Sequence, residues 1–322
     1  MQDKKFLKYK IVAFGGGTGL SNLLRGLKNY NFDITAVVTV SDDGGSSGKL
    51  RKELGVLPPG DIRNCLVALS EEENLITKLF QYRFPKKKGG LSNHSFGNLF
   101  LTALTSVSGG FDKAISNAAD VLAIKGKVFP VSLDNVKLKA MLKNGKKVTG
   151  ESKISKSKSA IDMVEIEPKS AKVSKSVLYS ISQADCIIFG PGSLYTSVIV
   201  NLLFNGVLSA LKKSKALKIY VSNIMTQVGE TSNFTLSDHI NAIIKHSYPE
   251  ILDAVIVNNG KIPDFVKERY ARQNSVPVKI DKIKYENIKV IKKDLVSKNQ
   301  YAHHNFMKLS KAIFNFLRSK TK

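Results

Sequence analysis

Cysteine is scarce in this chain, with only Cys65 and Cys186 among 322 residues. The two lie far apart and outside any C-x-x-C pattern, which excludes a disulfide framework and a cysteine zinc site and fits a reducing compartment. Long apolar runs are missing as well. Stretches such as 197–204 fall well short of the roughly 20 residues that span a bilayer, and the run 11–14 is too short for a signal-peptide core. A cytoplasmic protein without a transmembrane segment is expected. Acidic residues are few, with 26 Asp and Glu against 50 Lys and Arg and a formal net charge of +24. Only seven of those cations are arginines, and the lysines are scattered in small groups at 86–88, 212–213 and 292–293. With no RNP, helix-turn-helix or zinc-finger pattern, this distribution predicts a solvated lysine surface with a general attraction for anions, not a specific nucleic-acid partner. H-E-x-x-H, G-x-S-x-G and Walker-lysine motifs are absent, which leaves the familiar hydrolases and kinases without support.

What the chain does have is 43% hydrophobic residues, enough to bury a full core in one domain over 1–322. Two glycine turns stand out. Lys10-Ile11-Val12-Ala13-Phe14 runs into Gly15-Gly16-Gly17-Thr18-Gly19, and Cys186-Ile187-Ile188-Phe189 runs into Gly190-Pro191-Gly192-Ser193. Glycine lets the backbone approach an anion closely, and the first N–H groups of a following helix point at it unpaired. Strand, glycine turn and helix start together predict a phosphate cradle for a nucleotide or phosphorylated metabolite. Leu20 stands where the dinucleotide fingerprint needs its third glycine, which argues against an NAD oxidoreductase.

Helical spacing of Leu20, Leu23, Leu24 and Leu27, followed by the β-branched run 34–40, predicts a βαβ unit. Helical periodicity continues over 62–69, 75–82, 96–107 and 111–122, with a surface loop or lid at 83–90. From about 128 to 167 the pattern turns β-rich, with strands 136–141 and 147–151 joined through Asn144-Gly145, a strong hairpin signal. The alternation then resumes with strand 186–189, helix 194–211, strand 218–222, helix 237–245, strand 254–257 and a terminal helix over 304–316. The expected fold is α/β, a Rossmann-like, three-layer, mostly parallel sheet with a small β-rich insertion at 128–167.

Three polar constellations fall near the glycine turns. Ser41-Asp42-Asp43-Gly44-Gly45-Ser46-Ser47-Gly48 occupies the second loop of the βαβ unit, where carboxylates meet ribose hydroxyls or a divalent cation bridging phosphates. Pro59-Gly60-Asp61-Ile62-Arg63-Asn64 opens a helix, with Asp61 as N-cap or ligand and Arg63 as a bidentate phosphate partner. His94-Ser95-Phe96-Gly97-Asn98 opens another, offering an imidazole, a hydroxyl that is equally an N-cap, and an amide.

Taken with Gly190-Pro191-Gly192-Ser193-Leu194-Tyr195-Thr196-Ser197 and Asn223-Ile224-Met225-Thr226-Gln227, these ordered motifs resemble the bacterial YvcK group, or gluconeogenesis factors. That group belongs with the 2-phospho-L-lactate transferases of cofactor F420 synthesis. The resemblance implies a nucleotide diphosphate ligand, a UDP-sugar such as UDP-N-acetylglucosamine, and a role in cell shape and envelope precursor supply during gluconeogenic growth. It implies a regulated protein partner that the sequence does not identify, and leaves a homo-oligomer open. The transferase alternative moves a phospholactyl group from a nucleotide diphosphate carrier to a deazaflavin with a divalent metal such as Mg²⁺; the aspartates matching Asp43 and Asp61 then hold metal or phosphate. The implied ligand set is Gly15, Gly16, Gly17, Thr18, Gly19, Asp42, Asp43, Arg63, Asn64, His94, Ser95, Asn98, Gly190, Gly192, Ser193, Thr196, Asn223 and His303. His303 stands where such chains usually carry an arginine, and it is followed by His304.

Overall fold

The computed structural model describes residues 8–71, 75–86, 89–157, 159–297 and 301–320. Its centre is a seven-stranded sheet built from β1 (Tyr9–Gly15), β2 (Phe32–Val38), β3 (Lys127–Pro130), β7 (Cys186–Phe189), β8 (Leu217–Val221), β9 (Ala254–Asn258) and β10 (Lys289–Lys293). The order is β10-β9-β8-β7-β1-β2-β3 and every pairing is parallel. Strands β1 and β7 are buried on both faces, which is why they read as unbroken apolar runs rather than alternating ones. Between β3 and β7 the strands β4 (Lys137–Leu142), β5 (Lys147–Thr149) and β6 (Ile161–Glu167) form a separate antiparallel sheet in the order β5-β4-β6.

The helices are α1 (Gly17–Leu27), α2 (Gly45–Leu54), α3 (Gly60–Leu69), α4 (Leu75–Gln81), α5 (Phe96–Ser108), α6 (Phe111–Val121), α7 (Glu151–Ile154), α8 (Lys175–Gln183), α9 (Val207–Lys213), α10 (Leu236–Lys245), α11 (Asp264–Ala271) and α12 (Phe306–Lys320). Helix α1 packs on α3 and α12, while α8 packs on α9, giving the three-layer α/β arrangement. Leu20, Leu23, Leu24 and Leu27 of α1 are fully buried, as their spacing requires. The small sheet is fastened to α10: Lys245 pairs with Asp162 at 2.6 Å, and the Val164 N–H donates to Nε2 of the buried His246 at 3.0 Å. No helix among the described residues is long and apolar enough to cross a membrane.

Four local expectations differ from what the chain does. The helix over 194–211 is broken into a π-helical turn (Leu194–Val198), a 3₁₀ turn (Ile199–Leu203) and α9, with Gly206 between them at φ 102°. The β-branched run Thr196, Val198, Ile199 and Val200 resists regular α geometry, and a buried carboxylate takes the first N–H groups of the turn. The segment 41–48 is only half a loop, because α2 starts at Gly45; its Gly-Ser opening carries no apolar period to announce it. The β-rich stretch starts later than 128, since β3 joins the main sheet beside β2 and the second sheet begins at Lys137. The 83–90 lid is pinned where it is described: Phe84 N–H donates to the His94 carbonyl and Phe96 N–H to the Tyr82 carbonyl, each at 2.9 Å. Lys87 and Lys88 lie outside the described residues.

Candidate functional site

In a parallel sheet all strand ends that carry loops to a ligand lie on one edge. Here the residues following β1, β7 and β8 converge with the loop before α12 on a crevice of about 730 Å³. Its floor is the meeting of the two glycine turns. A Cβ built on Gly19 would collide with the Pro191 carbonyl, so the turns touch backbone to backbone only because position 19 has no side chain. Gly17, at φ 57°, adopts the left-handed conformation that starts α1.

Three carboxyls form one wall: Asp42, Asp61 and Glu151. Asp61 lies in the first turn of α3 but does not cap it; Pro59 holds that position. Its carboxylate instead reaches the first glycine turn and accepts from the Gly17 N–H, and a Cβ on Gly16 would stand 2.8 Å from its Oδ2. Burial, and then the Asp42 charge, push the Asp61 carboxyl up to about 7. Burial raises Asp42 as well, against the pull of its hydrogen bonds from Gly44 and Ser47. Glu151 is pushed up to about 9 by burial and the charges of Asp42 and Asp61, and its Oε2 has no partner. At neutral pH Glu151 is therefore protonated and Asp61 near its midpoint.

An apolar group, Ile224, Met225, Ala302 and the adjoining Tyr270, also lines the crevice. Arg25, Ser193, Asn223, Gln227, His303 and His304 line it too. Gln227 Nε2 donates to Ser193 Oγ at 3.0 Å, and Asn223 Nδ2 donates to Gln227 Oε1 at 3.2 Å. His303 is exposed and stacks on Tyr301, with ring centroids 5.6 Å apart.

Of the residues singled out in the sequence, Gly16, Gly17, Thr18, Gly19, Asp42, Asp61, Gly192, Ser193, Asn223 and His303 line this crevice. The rest do not. Gly15 packs on Leu20, and Gly190, at φ 80°, sits against the Val221 carbonyl. Asp43 is exposed and turned toward the insertion, accepting from the Ser152 N–H at 2.9 Å, so Asp42 takes the place expected for Asp43. Arg63 donates to Ser95 Oγ and, at 2.6 Å, to Asn64 Oδ1, while its buried Nε has no partner. His94 meets Ser46 Oγ at 3.0 Å; Ser95 caps α5; Asn98 donates to Ser46 Oγ at 3.2 Å. This group joins α2, α3 and α5, and Asn98 Oδ1 within it is buried without a partner. Thr196 is buried and donates to Glu230 Oε1 at 2.8 Å.

Glu151, Tyr270 and His304 were not among the expected ligands. Glu151 arrives on the small insertion, far from the glycine turns in sequence, and no spacing pattern connects them. Among the described residues no group of three His, Cys, Asp or Glu is placed to hold a metal ion.

Fold and crevice together define an α/β protein of the Rossmann-like class with its cleft at the carboxyl edge of the sheet. The chain belongs to the 2-phospho-L-lactate transferase CofD family, whose model matches residues 11–296, and within it to the gluconeogenesis factors. It is 48% identical over 309 residues to the gluconeogenesis factor of Halalkalibacterium halodurans, covering 95% of this chain and 96% of that one. A relative in Clostridium acetobutylicum is 55% identical over 285 residues, 87% of this chain but 63% of that longer protein. A Bacillus halodurans crystal structure superposes with a TM-score of 0.93 at 48% identity, over 96% of this chain and all of that one.

Proposed function

We propose that this protein binds a nucleotide diphosphate, a UDP-sugar of the UDP-N-acetylglucosamine kind, and acts in the cytoplasm as a regulator of carbon flow into envelope precursors and hence of cell shape. The observation that carries this reading is that two glycine turns, three carboxyls and an apolar group line one crevice. The diphosphate lies on the turns. The N–H of Gly17 is already taken by Asp61, so a second negative group there needs a cation to share. Asp42 and Asp61 would hold Mg²⁺ through hard carboxylate oxygens, and the ion would offset the phosphate charge there. The apolar group accepts the flat face of a base or sugar ring.

Calorimetric titration with UDP-N-acetylglucosamine, GDP and NAD, each with and without Mg²⁺, tests it. Tight binding of the UDP-sugar, strengthened by Mg²⁺, is the expected result; no heat from any uridine nucleotide would remove the proposal. The family relation carries the alternative, a phospho-transferase using a nucleotide diphosphate-linked donor. Turnover of such a donor with a deazaflavin acceptor would move the protein to that class.

A further inference from the structure

His304 is buried at 8% exposure on the loop before α12, and that loop is held to α1 by Asn22 Nδ2, which donates to the His304 carbonyl at 2.5 Å. One ring nitrogen hydrogen bonds the Ser222 backbone in the manner that favours the protonated nitrogen, so it donates to the Ser222 carbonyl. Nε2 has no partner, which identifies the donor as Nδ1. In the neutral ring Nε2 is then a bare acceptor. Burial keeps the ring neutral, holding its pKa down to about 4.

His246 shows the same arrangement with its second half complete. Its Nδ1 faces the Ala242 carbonyl at 2.7 Å and its Nε2 receives the Val164 N–H. His239 also leaves Nε2 unpaired, but it lies outside the crevice; His304 lines it.

Asn223, next to Ser222, repeats the pattern. Its Nδ2 donates to Gln227 Oε1 and Gln227 Nε2 donates to Ser193 Oγ, an arrangement that leaves Oδ1 as the free atom. That Oδ1 is buried and has no partner. Two unsatisfied acceptors thus stand on lining residues whose backbone anchors are consecutive. A buried acceptor without a donor is penalised, and the penalty is lifted when a donor arrives. Phosphate oxygens bring no proton and are rejected here; hydroxyl groups each bring one.

We infer that Asn223 Oδ1 and His304 Nε2 form a subsite that accepts hydrogen bonds from hydroxyl groups on a sugar of the bound nucleotide. The inference rests on the nucleotide-sugar reading above and deepens it. The subsite places sugar next to Ile224 of the apolar group and leaves the phosphates to the glycine turns. It makes Asn223 and His304 specificity-determining residues.

The test is a set of titrations with UDP, its 2′,3′-dideoxy analogue and UDP-N-acetylglucosamine. If the ribose is read, the wild-type protein binds UDP at least tenfold more tightly than the dideoxy analogue. If the second sugar is read, it binds UDP-N-acetylglucosamine at least tenfold more tightly than UDP. In Asn223→Leu and His304→Phe the discriminating ratio collapses to within about twofold, and His304→Gln, which restores an acceptor oxygen, recovers part of it. Ratios near one for both pairs in the wild-type protein overturn the inference while leaving nucleotide binding intact, and so does an unchanged ratio in folded variants. Absence of binding by every uridine nucleotide overturns both this inference and the reading it rests on.

Discussion

Asp61 couples the protonation of one side chain to the stability of the fold. Its carboxyl titrates near the ordinary 3.8 when unfolded and is pushed up to about 7 by burial when folded. Below the lower value both states hold the proton and the residue is neutral in effect. As pH rises through the window the unfolded chain releases the proton first, so stability is lost, and above about 7 the whole penalty stands. Asp61→Asn keeps an acceptor for the Gly17 N–H but has no charge to bury. Its melting temperature should match the parent near pH 4 and exceed it by a few degrees at pH 8, while Mg²⁺-dependent nucleotide binding falls at least tenfold. Scanning calorimetry across that range checks the first part; a variant less stable at pH 8 would contradict it. His303, exposed on the crevice, supports a separate expectation. A guanidinium forks onto phosphate oxygens through two parallel hydrogen bonds that an imidazole cannot copy. His303→Arg should bind the UDP-sugar several-fold more tightly in calorimetric titration; unchanged affinity would show that the residue faces only solvent.

The second glycine turn owes its form to a contact between elements. Glu230, 3% exposed, receives the N–H of Tyr195 at 3.1 Å and of Thr196 at 3.4 Å, and the Thr196 hydroxyl at 2.8 Å. These bonds occupy the opening of the π-helical turn and hold Gly192 and Ser193 against α1. Glu230→Ala leaves three buried donors unpaired and should cost on the order of 3 kcal/mol, with nucleotide affinity lost in parallel. Urea unfolding measures it. Gly19→Ala attacks the same junction from the other side by driving a methyl into the Pro191 carbonyl, at about 1–3 kcal/mol. Gly55→Ala is the control: its added methyl meets nothing within 4 Å, and only the left-handed φ of 68° is strained. A similar loss of affinity in both glycine variants would remove the special role of the junction.

Over the whole molecule the charge of +24 acts as self-repulsion. The ion pairs among the described residues are solvent-exposed, as with Lys169 and Glu165 at 2.8 Å, and contribute little. Salt should therefore stabilise this protein. Raising NaCl from about 20 to 300 mM shortens the Debye length from roughly 20 Å to under 10 Å, which weakens the repulsion. The melting temperature in the absence of ligand is expected to rise over that range, and a fall would show that attractive pairs dominate the surface.

The parallel sheet and its two glycine turns were legible in the sequence because burial on both faces leaves a local mark. Strands such as Cys186–Phe189 are apolar without interruption, and the turn glycines follow at once. Helices with a strong apolar period, such as α1, were legible for the same reason, whereas α2 and α11, with little to bury, were not. The site divides along the same line. Glycines and Asp42 sit on the loops of adjacent strands, so chain order alone brings them to one edge. The roles of Asp43, Arg63, His94 and Glu151 depend on side-chain direction and on partners as distant as Ser152, and such contacts leave no periodic trace. Sequence alone thus determined the fold, the family and the edge of the sheet that carries the crevice, since each follows from patterns repeated along the chain. Only the tertiary structure decided which carboxyls face the crevice, which partners Arg63 takes, and which acceptors are left open, because those are set by packing between elements remote in sequence.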